Sequence, residues 1–362
     1  MSQEGPEKLA ELRASIDELD LKLVELLNQR VKLAQEVGKT KGFSNQVIFV
    51  PEREREILAR LTQANQGPLT PDQLSSVFRE IISAARAAEQ PLKVAYWGPE
   101  GSFSNQAALK AFGQSSVAVP VPSIEDVFLE VQKGSVDYGI VPVENSVGGA
   151  VPETLDHFVS SPLQICAQTS IPVVHHLVSH AERLEDIRTV YAGPQPKAQC
   201  RKWLRANLPN AEVIDLTPTS ACVQRTANDH SAAAIATSLA AEIIGVPILR
   251  SHLQDRPDNR TRFWVLGKNL PAPTGYDRTT IRFGLKNEPG KLYAALGIFA
   301  QFEVNLLMIE SRPSPRDPFD YIFFLDCEGH QAQEKLGNAI KALQEICTEV
   351  TILGSYPVTD WS

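Results

Sequence analysis

One apolar stripe dominates the N-terminal part of the chain and limits what this part can fold into. Apolar residues recur there at alternating steps of three and four, which is the spacing of one helical face: Leu9, Leu12, Ile16, Leu19, Leu23, Leu26, Leu33 and Val37. The spacing predicts a helix over about 6–41, and two shorter helices follow, opening at Pro51 and Pro71. The stretch Thr70-Pro71-Asp72-Gln73 predicts a capping box at the start of the last helix. Three helices, one of them very long, make a poor isolated core, so we expect an intertwined dimer.

Cations lie on or beside this stripe. Arg30 takes the place of an apolar residue between Leu26 and Leu33, and Lys41 follows near the end of the stripe. A single arginine in such a place extends its head group to solvent, which is the alternative to a ligand-binding role. Several cations at one core instead indicate a bound anion, and the guanidinium group matches carboxylates. The other charged residues near the predicted core are Arg13, Arg53, Glu54 and Glu89.

The period of the sequence changes at Lys93. From there to about 268, short apolar runs alternate with helical patterns, which predicts an α/β domain with a mostly parallel sheet, in one unit or two lobes. A Pro/Gly-rich linker at 267–277 leads into the order βαββαβ, the ferredoxin-like plan of an α+β domain. The predicted domains are therefore 1–91 (all-α), 92–268 and 277–357.

Composition excludes several classes of partner. The formal net charge of −8 argues against nucleic acid and anionic membranes, which an acidic surface does not attract. No apolar run approaches the roughly 20 residues that span a bilayer. The five cysteines form no metal pattern, and they indicate reduced thiols in the cytoplasm. We expect no metal and no cofactor.

Residues 9–90 resemble the all-helical chorismate mutases, in the segments LRASIDELDLKLVELLNQR, KLAQEVGKTK, PERE and FREIISAARAAEQ. The resemblance implies that Arg13 (from the partner subunit) and Arg30 bind the two carboxylates of chorismate. It also implies that Lys41 donates to the ether oxygen, and that Arg53 and Glu54 make the remaining contacts. Glu89 can donate a hydrogen bond to the ether oxygen only while its carboxyl group is protonated. We therefore expect a mutase rate that falls above neutral pH, and Glu89→Gln should flatten that profile.

Three predicted strand ends in the middle region carry small hydroxyl and amide groups: GPEGSFS (98–104), PVENSVGG (142–149) and NRTRF (259–263). Ligands of open α/β sheets bind at strand ends, although turn and cap chemistry is the alternative reading of such clusters. Together, residues 93–268 resemble the catalytic domain of prephenate dehydratase, which has two lobes like periplasmic binding proteins. The resemblance implies an essential Thr261 and a pocket lined by Ser102, Ser104, Glu144, Asn145, Ser146, Arg262 and Phe263.

The last region, about 277–357, resembles the ACT regulatory domain that follows prephenate dehydratases. Its main signals are Glu310-Ser311-Arg312-Pro313 and Pro289-Gly290-Lys291-Leu292. The resemblance implies phenylalanine as the effector, bound at a subunit interface; the alternative is that the first motif is only a charged strand end. The implied effector-binding residues are Leu292, Asn305, Glu310, Ser311 and Arg312.

The leading hypothesis is an enzyme with two active sites, forming phenylpyruvate from chorismate under feedback by phenylalanine, as a homodimer or a larger homo-oligomer. One alternative replaces prephenate by arogenate as the second substrate. Another is a mutase fused to a decayed dehydratase that serves as a phenylalanine-binding module. Val147, Gly148 and Gly193 favour decay because they depart from the usual family pattern, whereas Thr261-Arg262-Phe263 opposes it.

Overall fold

The computed structural model describes residues 4–41, 48–314 and 320–358, with side chains from residue 7 to residue 40 in the first range. Its N-terminal domain is helical, as predicted: α1 (Glu4–Lys41), α2 (Pro51–Ala64) and α3 (Pro71–Glu89). The capping box predicted at the start of α3 is present. The Thr70 hydroxyl accepts from the Gln73 amide at 3.3 Å, and the Gln73 side chain accepts from the Thr70 amide at 3.0 Å.

Most of the apolar stripe on α1 stays exposed within one chain. Leu12, Leu19 and Leu26 are 56%, 58% and 60% exposed. Helix α3 contacts α1 near its C-terminal end, where Gln35 Nε2 donates to the carbonyl of Ala88 at 3.0 Å and Gly38 meets Glu89. The helices of one chain therefore leave a long hydrophobic surface without cover, as the stripe predicted.

The middle domain is α/β and continues the numbering from β1. Its elements in chain order are β1 (Lys93–Trp97), α4 (Phe103–Phe112), β2 (Val117–Val121), α5 (Ile124–Lys133), β3 (Tyr138–Asn145), β4 (Gly149–Ala150), α6 (Pro152–Phe158), β5 (Gln164–Pro172), β6 (His176–Val178), β7 (Thr189–Ala192), α7 (Pro194–Gln199), α8 (Arg201–Asn207), β8 (Glu212–Asp215), α9 (Thr219–Thr226), β9 (Ala232–Ala236), α10 (Ser238–Ile244), β10 (Ile248–Arg250) and β11 (Arg260–Gly267).

These strands form two sheets, and hence two lobes. The first has the order β2-β1-β3-β11-β5 with β4 beside β3, and the second has the order β10-β6-β9-β7-β8. The chain crosses between the lobes twice, from β5 to β6 and from β10 back to β11. Strand β11 is antiparallel to both β3 and β5, so the predicted parallel pairing holds in lobe 1 only for β2-β1-β3. The two crossings give the expected periplasmic-binding-protein-like plan.

The C-terminal domain has the predicted order βαββαβ. Its elements are β12 (Asp277–Leu285), α11 (Lys291–Gln301), β13 (Leu306–Pro313), β14 (Tyr321–Glu328), α12 (Glu334–Ile346) and β15 (Glu349–Pro357), and the antiparallel sheet has the order β13-β14-β12-β15.

The C-terminal sheet is covered on both faces. Its two helices enclose one core, and lobe 1 packs on the other face in a shared cluster that includes Trp264, Phe158, Phe324 and Tyr356. A Cβ on Gly354 would overlap the backbone carbonyl of Ile165 in β5, so this contact requires glycine. None of the helices in the described part of the chain is long and apolar enough to cross a membrane.

Candidate functional sites

A largely buried carboxylate lies between α2 and α3 of the helical domain, with 19% of its side chain exposed. Glu54, in the first turn of α2, accepts a hydrogen bond from Nη1 of Arg86 at 2.8 Å. Burial raises the pKa of Glu54, and the charges of Arg86, Arg79 and Arg30 oppose this shift. Burial likewise lowers the pKa of Arg30, against the charge of Glu54. Arg30 and Glu54, two of the predicted mutase residues, therefore share one electrostatic environment.

The structure gives separate surroundings for the other predicted mutase residues. The Glu89 carboxylate lies directly against Gly38 of α1, where a Cβ would overlap it. Arg53 is exposed and pairs with Glu56 at 2.5 Å, on the outer side of α2. The side chain of Lys41 lies outside the described residues.

Arg13 is exposed on α1, 17 positions before Arg30, which corresponds to about 25 Å along a helix. A single chain therefore cannot bring Arg13 and Arg30 to one small substrate.

Thr261 is held at the edge of lobe 1 by an asparagine. Thr261 is the second residue of β11 and pairs with Asn145, the last residue of β3; Nδ2 of Asn145 donates to Oγ1 of Thr261 at 2.9 Å. The same amide group is 2.8 Å from Oδ1 of Asn259, while Oδ1 of Asn145 accepts from the amides of Val147 and Gly148. Because the Thr261 oxygen already accepts from Asn145, the hydroxyl proton can be donated to a ligand.

One further predicted residue, Ser146, lies near Thr261, and the prediction missed Asn259. Ser146 joins the ends of β3 and β11, since its hydroxyl accepts from the amide of Arg260 at 3.0 Å. Asn259 is 98% buried, and sequence reasoning noted its motif without assigning it a role. A small polar residue directly before a strand end was the available signal.

The GPEGSFS turn meets the second lobe. Ser102 caps α4 by accepting from the amide of Asn105 at 3.2 Å, and Ser104 is buried in the same helix. The carbonyl of Gly101 accepts from the Thr237 hydroxyl at the start of α10 at 2.6 Å. A Cβ on Gly101 would lie 2.7 Å from Cα of Ala240, so the turn closes tightly on lobe 2.

Three predicted pocket residues have other surroundings in the structure. Arg262 Nη1 donates to Asp326 of β14 at 2.6 Å, and its Nη2 donates to Glu144 at 3.1 Å. Arg262 therefore points to the C-terminal domain and holds Glu144 beside it, although both residues were expected to line the dehydratase pocket. Phe263 is buried in the core of lobe 1, among residues such as Tyr96 and Phe112. The C-terminal sheet covers the face of β11 that carries Arg262, whereas Phe263 lies on the opposite face, in the core of lobe 1.

The C-terminal domain has a cavity of about 260 Å³ at the start of α11. Two predicted effector residues, Leu292 and Ser311, line it together with Asn287 and Lys291. Gly290, at the cap of α11, adopts the left-handed φ of +81° that glycine permits. The ammonium group of Lys291 lies 3.4 Å from the carboxylate of Glu288, which also lines the cavity, so the helix start already has one carboxylate beside its cation.

The remaining effector residues lie outside this cavity. Arg312 follows Ser311 on the opposite face of β13, and both Nε and Nη2 donate to the carboxylate of Asp156 in α6 at 2.6 Å. Glu310 shares that face with Arg312, and Asn305 precedes β13 at its other end.

Family profiles match the three domains in turn: chorismate mutase type II at residues 12–90, prephenate dehydratase at 94–271 and the ACT domain at 279–345. The bifunctional chorismate mutase/prephenate dehydratase of Aquifex aeolicus is 43% identical over 97% of this chain and 98% of its own length.

Two solved structures are similar to the last two domains. A prephenate dehydratase from Arthrobacter aurescens in complex with L-Phe has a TM-score of 0.69 and 32% identity, over 75% of this chain and 91% of its own. A protein described as a novel type of quorum quenching acylase has a TM-score of 0.68 and 27% identity, over 74% and 99%. One fold can host different chemistries, so activity must be argued from the site. With all three profiles and near-complete coverage, the chain belongs to the bifunctional chorismate mutase/prephenate dehydratase family and carries an ACT domain.

Proposed function

We propose that the helical domain rearranges chorismate to prephenate and that the middle domain converts prephenate to phenylpyruvate. The observation that carries the second step is the hydrogen bond from Asn145 to Thr261, in which the threonine oxygen accepts, so that its own proton is available to a ligand. In the reaction, the electron pair of the carboxylate C–C bond enters the ring, carbon dioxide departs, and the ring hydroxyl leaves. Thr261 assists by donating a hydrogen bond to the departing oxygen.

The mutase step needs binding and orientation without covalent chemistry. Arg30 and Glu54 supply a cation and an acceptor at one buried centre, with Glu89 beside α1. A pericyclic shift is accelerated when the substrate is held in a reactive conformation and charge on the ether oxygen is stabilised. Arg30, Lys41, Arg53, Glu54 and Glu89 of one chain and Arg13 of the partner subunit are the proposed residues.

A homodimer completes this site. The separation between Arg13 and Arg30, about 25 Å on one helix, excludes a shared small ligand within a single chain. A second copy of α1 would cover the exposed stripe and bring its own Arg13 near Arg30. We place the protein in the cytoplasm, where its five free cysteines would stay reduced.

Phenylalanine is the proposed feedback effector. The relative from Arthrobacter aurescens is described in complex with L-Phe, and the cavity beside Leu292 and Ser311 has the size and the polar groups for one amino acid. Tyr321 and Phe323 add aromatic surface for its ring.

The structure weakens the case for a decayed dehydratase. The departures at Val147 and Gly148 change side chains, yet Asn145 is held by the backbone amides of these two residues. The turn that fixes Asn145 therefore keeps its donors. Gly193 takes the N-cap position of α7. Assays with prephenate and with arogenate identify the substrate of the middle domain.

The deciding experiment incubates the full chain with chorismate and follows both products. We expect prephenate first and phenylpyruvate afterwards. Prephenate and arogenate are then supplied separately, with and without phenylalanine. Accumulation of prephenate, with no turnover of either added substrate, would contradict the dehydratase function; turnover of arogenate alone would change its substrate.

A further inference from the structure

Arg86 joins two domains through a single side chain. It lies on α3 and is only 8% exposed. Nη1 donates to Oε1 of Glu54 at 2.8 Å, and Nη2 donates to the backbone carbonyl of Phe112 at 2.6 Å. Phe112 is the last residue of α4, in the dehydratase domain. One guanidinium group thus connects a proposed mutase residue to the neighbouring catalytic domain.

Aromatic packing fixes this guanidinium further. Its central carbon lies 5.3 Å from the ring centroid of Phe49 and 5.9 Å from that of Phe112, and the two rings are 4.6 Å apart. The two rings therefore lie next to each other on one side of the guanidinium, and they pack against it there. Buried charges need a partner with good geometry, and Arg86 provides one for Glu54.

We propose that Arg86 is a positioning residue for the mutase reaction: it holds the Glu54 carboxylate in place for the substrate, and the dehydratase domain holds Arg86. This inference rests on the proposed role of Glu54 in the mutase site. It makes the dehydratase domain part of the framework of the mutase site, through the carbonyl of Phe112.

The charges around Glu54 give the inference a pH signature. Arg30 faces Glu54 from α1, Arg79 and Arg86 face it from α3, and Glu52 lies on its own helix. Tyr138 of β3 is also close enough to interact with the same carboxylate. Burial raises the pKa of Glu54, and Arg86 is the strongest opposing charge. Without Arg86, the carboxyl group should stay protonated to a higher pH, and a protonated carboxyl group accepts a hydrogen bond from a substrate hydroxyl more weakly than a carboxylate does.

The experiment measures mutase kcat and KM for the full chain between pH 5.5 and 9, as ratios to the wild type. For Arg86→Gln we expect a ratio about tenfold lower at the acidic end than at the alkaline end, since a tenfold change corresponds to about one pKa unit. Arg86→Lys keeps the charge and should recover most of the pH profile, with a lower kcat because an ammonium group cannot reproduce the two-pronged contact. Adding Glu54→Gln to Arg86→Gln should remove the pH dependence of the ratio.

The matched control breaks another contact between the same two domains. Glu80, also on α3, accepts from the amide of Gln114 at 2.9 Å and does not touch Glu54. Glu80→Ala should leave the pH profile of the mutase unchanged. Turnover of added prephenate should be unchanged in every variant.

Three results would count against the inference, and they are separable. A pH-independent ratio for Arg86→Gln, with mutase and dehydratase lost in the same proportion, would reduce Arg86 to a structural contact. Arg86→Lys behaving like Arg86→Gln at every pH would mean that charge is irrelevant. Full mutase activity in Glu54→Gln alone would overturn the role of Glu54, whereas absence of mutase activity in the wild type would overturn the proposed function itself.

Discussion

At the scale of single residues, the proposed dehydratase site depends on one asparagine that its hydrogen bonds hold in place. Asn145 uses both ends of its amide, accepting from two backbone amides and donating towards Thr261 and Asn259. An amide with all these partners cannot rotate freely, so the position of the Thr261 oxygen is set before any substrate binds. Preorganised donors of this kind lower the barrier because they need no rearrangement during the reaction.

Thr261→Ala should therefore abolish most dehydratase activity. Loss of one donor aimed at developing charge costs roughly 10²–10³-fold in kcat. Thr261→Ser keeps the hydroxyl and should retain far more activity. The measurement is phenylpyruvate formation from added prephenate, with mutase turnover as the internal control. Equal rates for the alanine and serine variants would remove Thr261 from the reaction.

Arg30→Ala should disable the mutase and leave the dehydratase working. The variant removes the cation closest to Glu54 on α1, and removing a charged ligand from a buried site should cost on the order of 10²-fold or more in kcat/KM. Lys32→Ala, at an exposed position on the same helix, is the matched control and should change little. If Arg30→Ala kept normal mutase turnover, its side chain would only extend to solvent.

At the scale of elements, strand β13 connects two functions. Ser311 lines the proposed phenylalanine cavity, and the next residue, Arg312, donates two hydrogen bonds of 2.6 Å to Asp156 of α6. Helix α6 follows the turn after Asn145, and the Thr154 hydroxyl in α6 donates to the carbonyl of Pro142 in β3. Arg312 is therefore better placed to connect the effector strand to the catalytic lobe than to bind the effector.

Asp156→Asn should weaken inhibition by phenylalanine more than it weakens phenylalanine binding. The substitution removes the negative charge that pairs with Arg312. This ion pair between β13 and α6 is partly exposed, so its loss should change the coupling constant between phenylalanine and prephenate by about two- to fivefold. Asp186→Asn breaks a comparable Arg–Asp pair inside lobe 2 and serves as control. Binding is measured by calorimetry with and without prephenate, because coupling acts equally on both ligands. Unchanged inhibition in Asp156→Asn would assign the pair to static packing.

We expect a pH-dependent stability from His175, which lies between β5 and β6, where the chain crosses from lobe 1 to lobe 2. Nε2 of His175 is 2.7 Å from Oε1 of Gln199, and its ring packs edge-on against Phe103. Burial lowers the pKa of His175 in the folded protein, so the unfolded chain takes up the proton first as pH falls below about 6.5. Stability is thus full above that pH and declines below it.

Thermal unfolding between pH 8 and pH 5 tests this expectation. His175→Gln should be less stable at pH 8 but should lose less on acidification than the wild type. His230→Gln, at an exposed position, is the control and should follow the wild type. The same acid loss in His175→Gln and the wild type would show that another group is responsible.

At the scale of the whole molecule, the exposed face of α1 determines whether the mutase can work. Its leucines remain about half exposed in one chain, although they follow a strict helical repeat. A second copy offers the same surface in return, as a two-fold interface requires. Dimerisation and mutase catalysis should therefore be lost together, while the dehydratase, built within one chain, should continue.

Leu23→Glu tests this link by placing a charge in the middle of the stripe, at a side chain that is 54% exposed. We expect a smaller particle by analytical ultracentrifugation and a mutase rate reduced by about 10²-fold or more, because the partner's Arg13 no longer reaches the site. Lys22→Gln, one position earlier, is the control. A monomer with intact mutase activity would exclude the shared site.

Interactions between residues close together in the chain determined the helices, the strands and their order, so the sequence by itself predicted them. The helical repeat, the capping box at Thr70 and the change of period at Lys93 depend on residues a few positions apart, and each predicted the correct element. The cation at Arg30 could be recognised in the same way, since it interrupts a repeat. The family resemblance then supplied Thr261 and the pattern ENS.

Only the tertiary structure decided which face each polar side chain uses. Arg262 meets Asp326, Arg312 meets Asp156 and Arg86 meets the carbonyl of Phe112, all across domain boundaries. Strands covered on both faces show no alternation of polar and apolar residues, so their sequence does not tell which side faces a pocket. The packing of the C-terminal sheet on lobe 1 made that choice, because a buried guanidinium is stable only where a carboxylate or a carbonyl meets it.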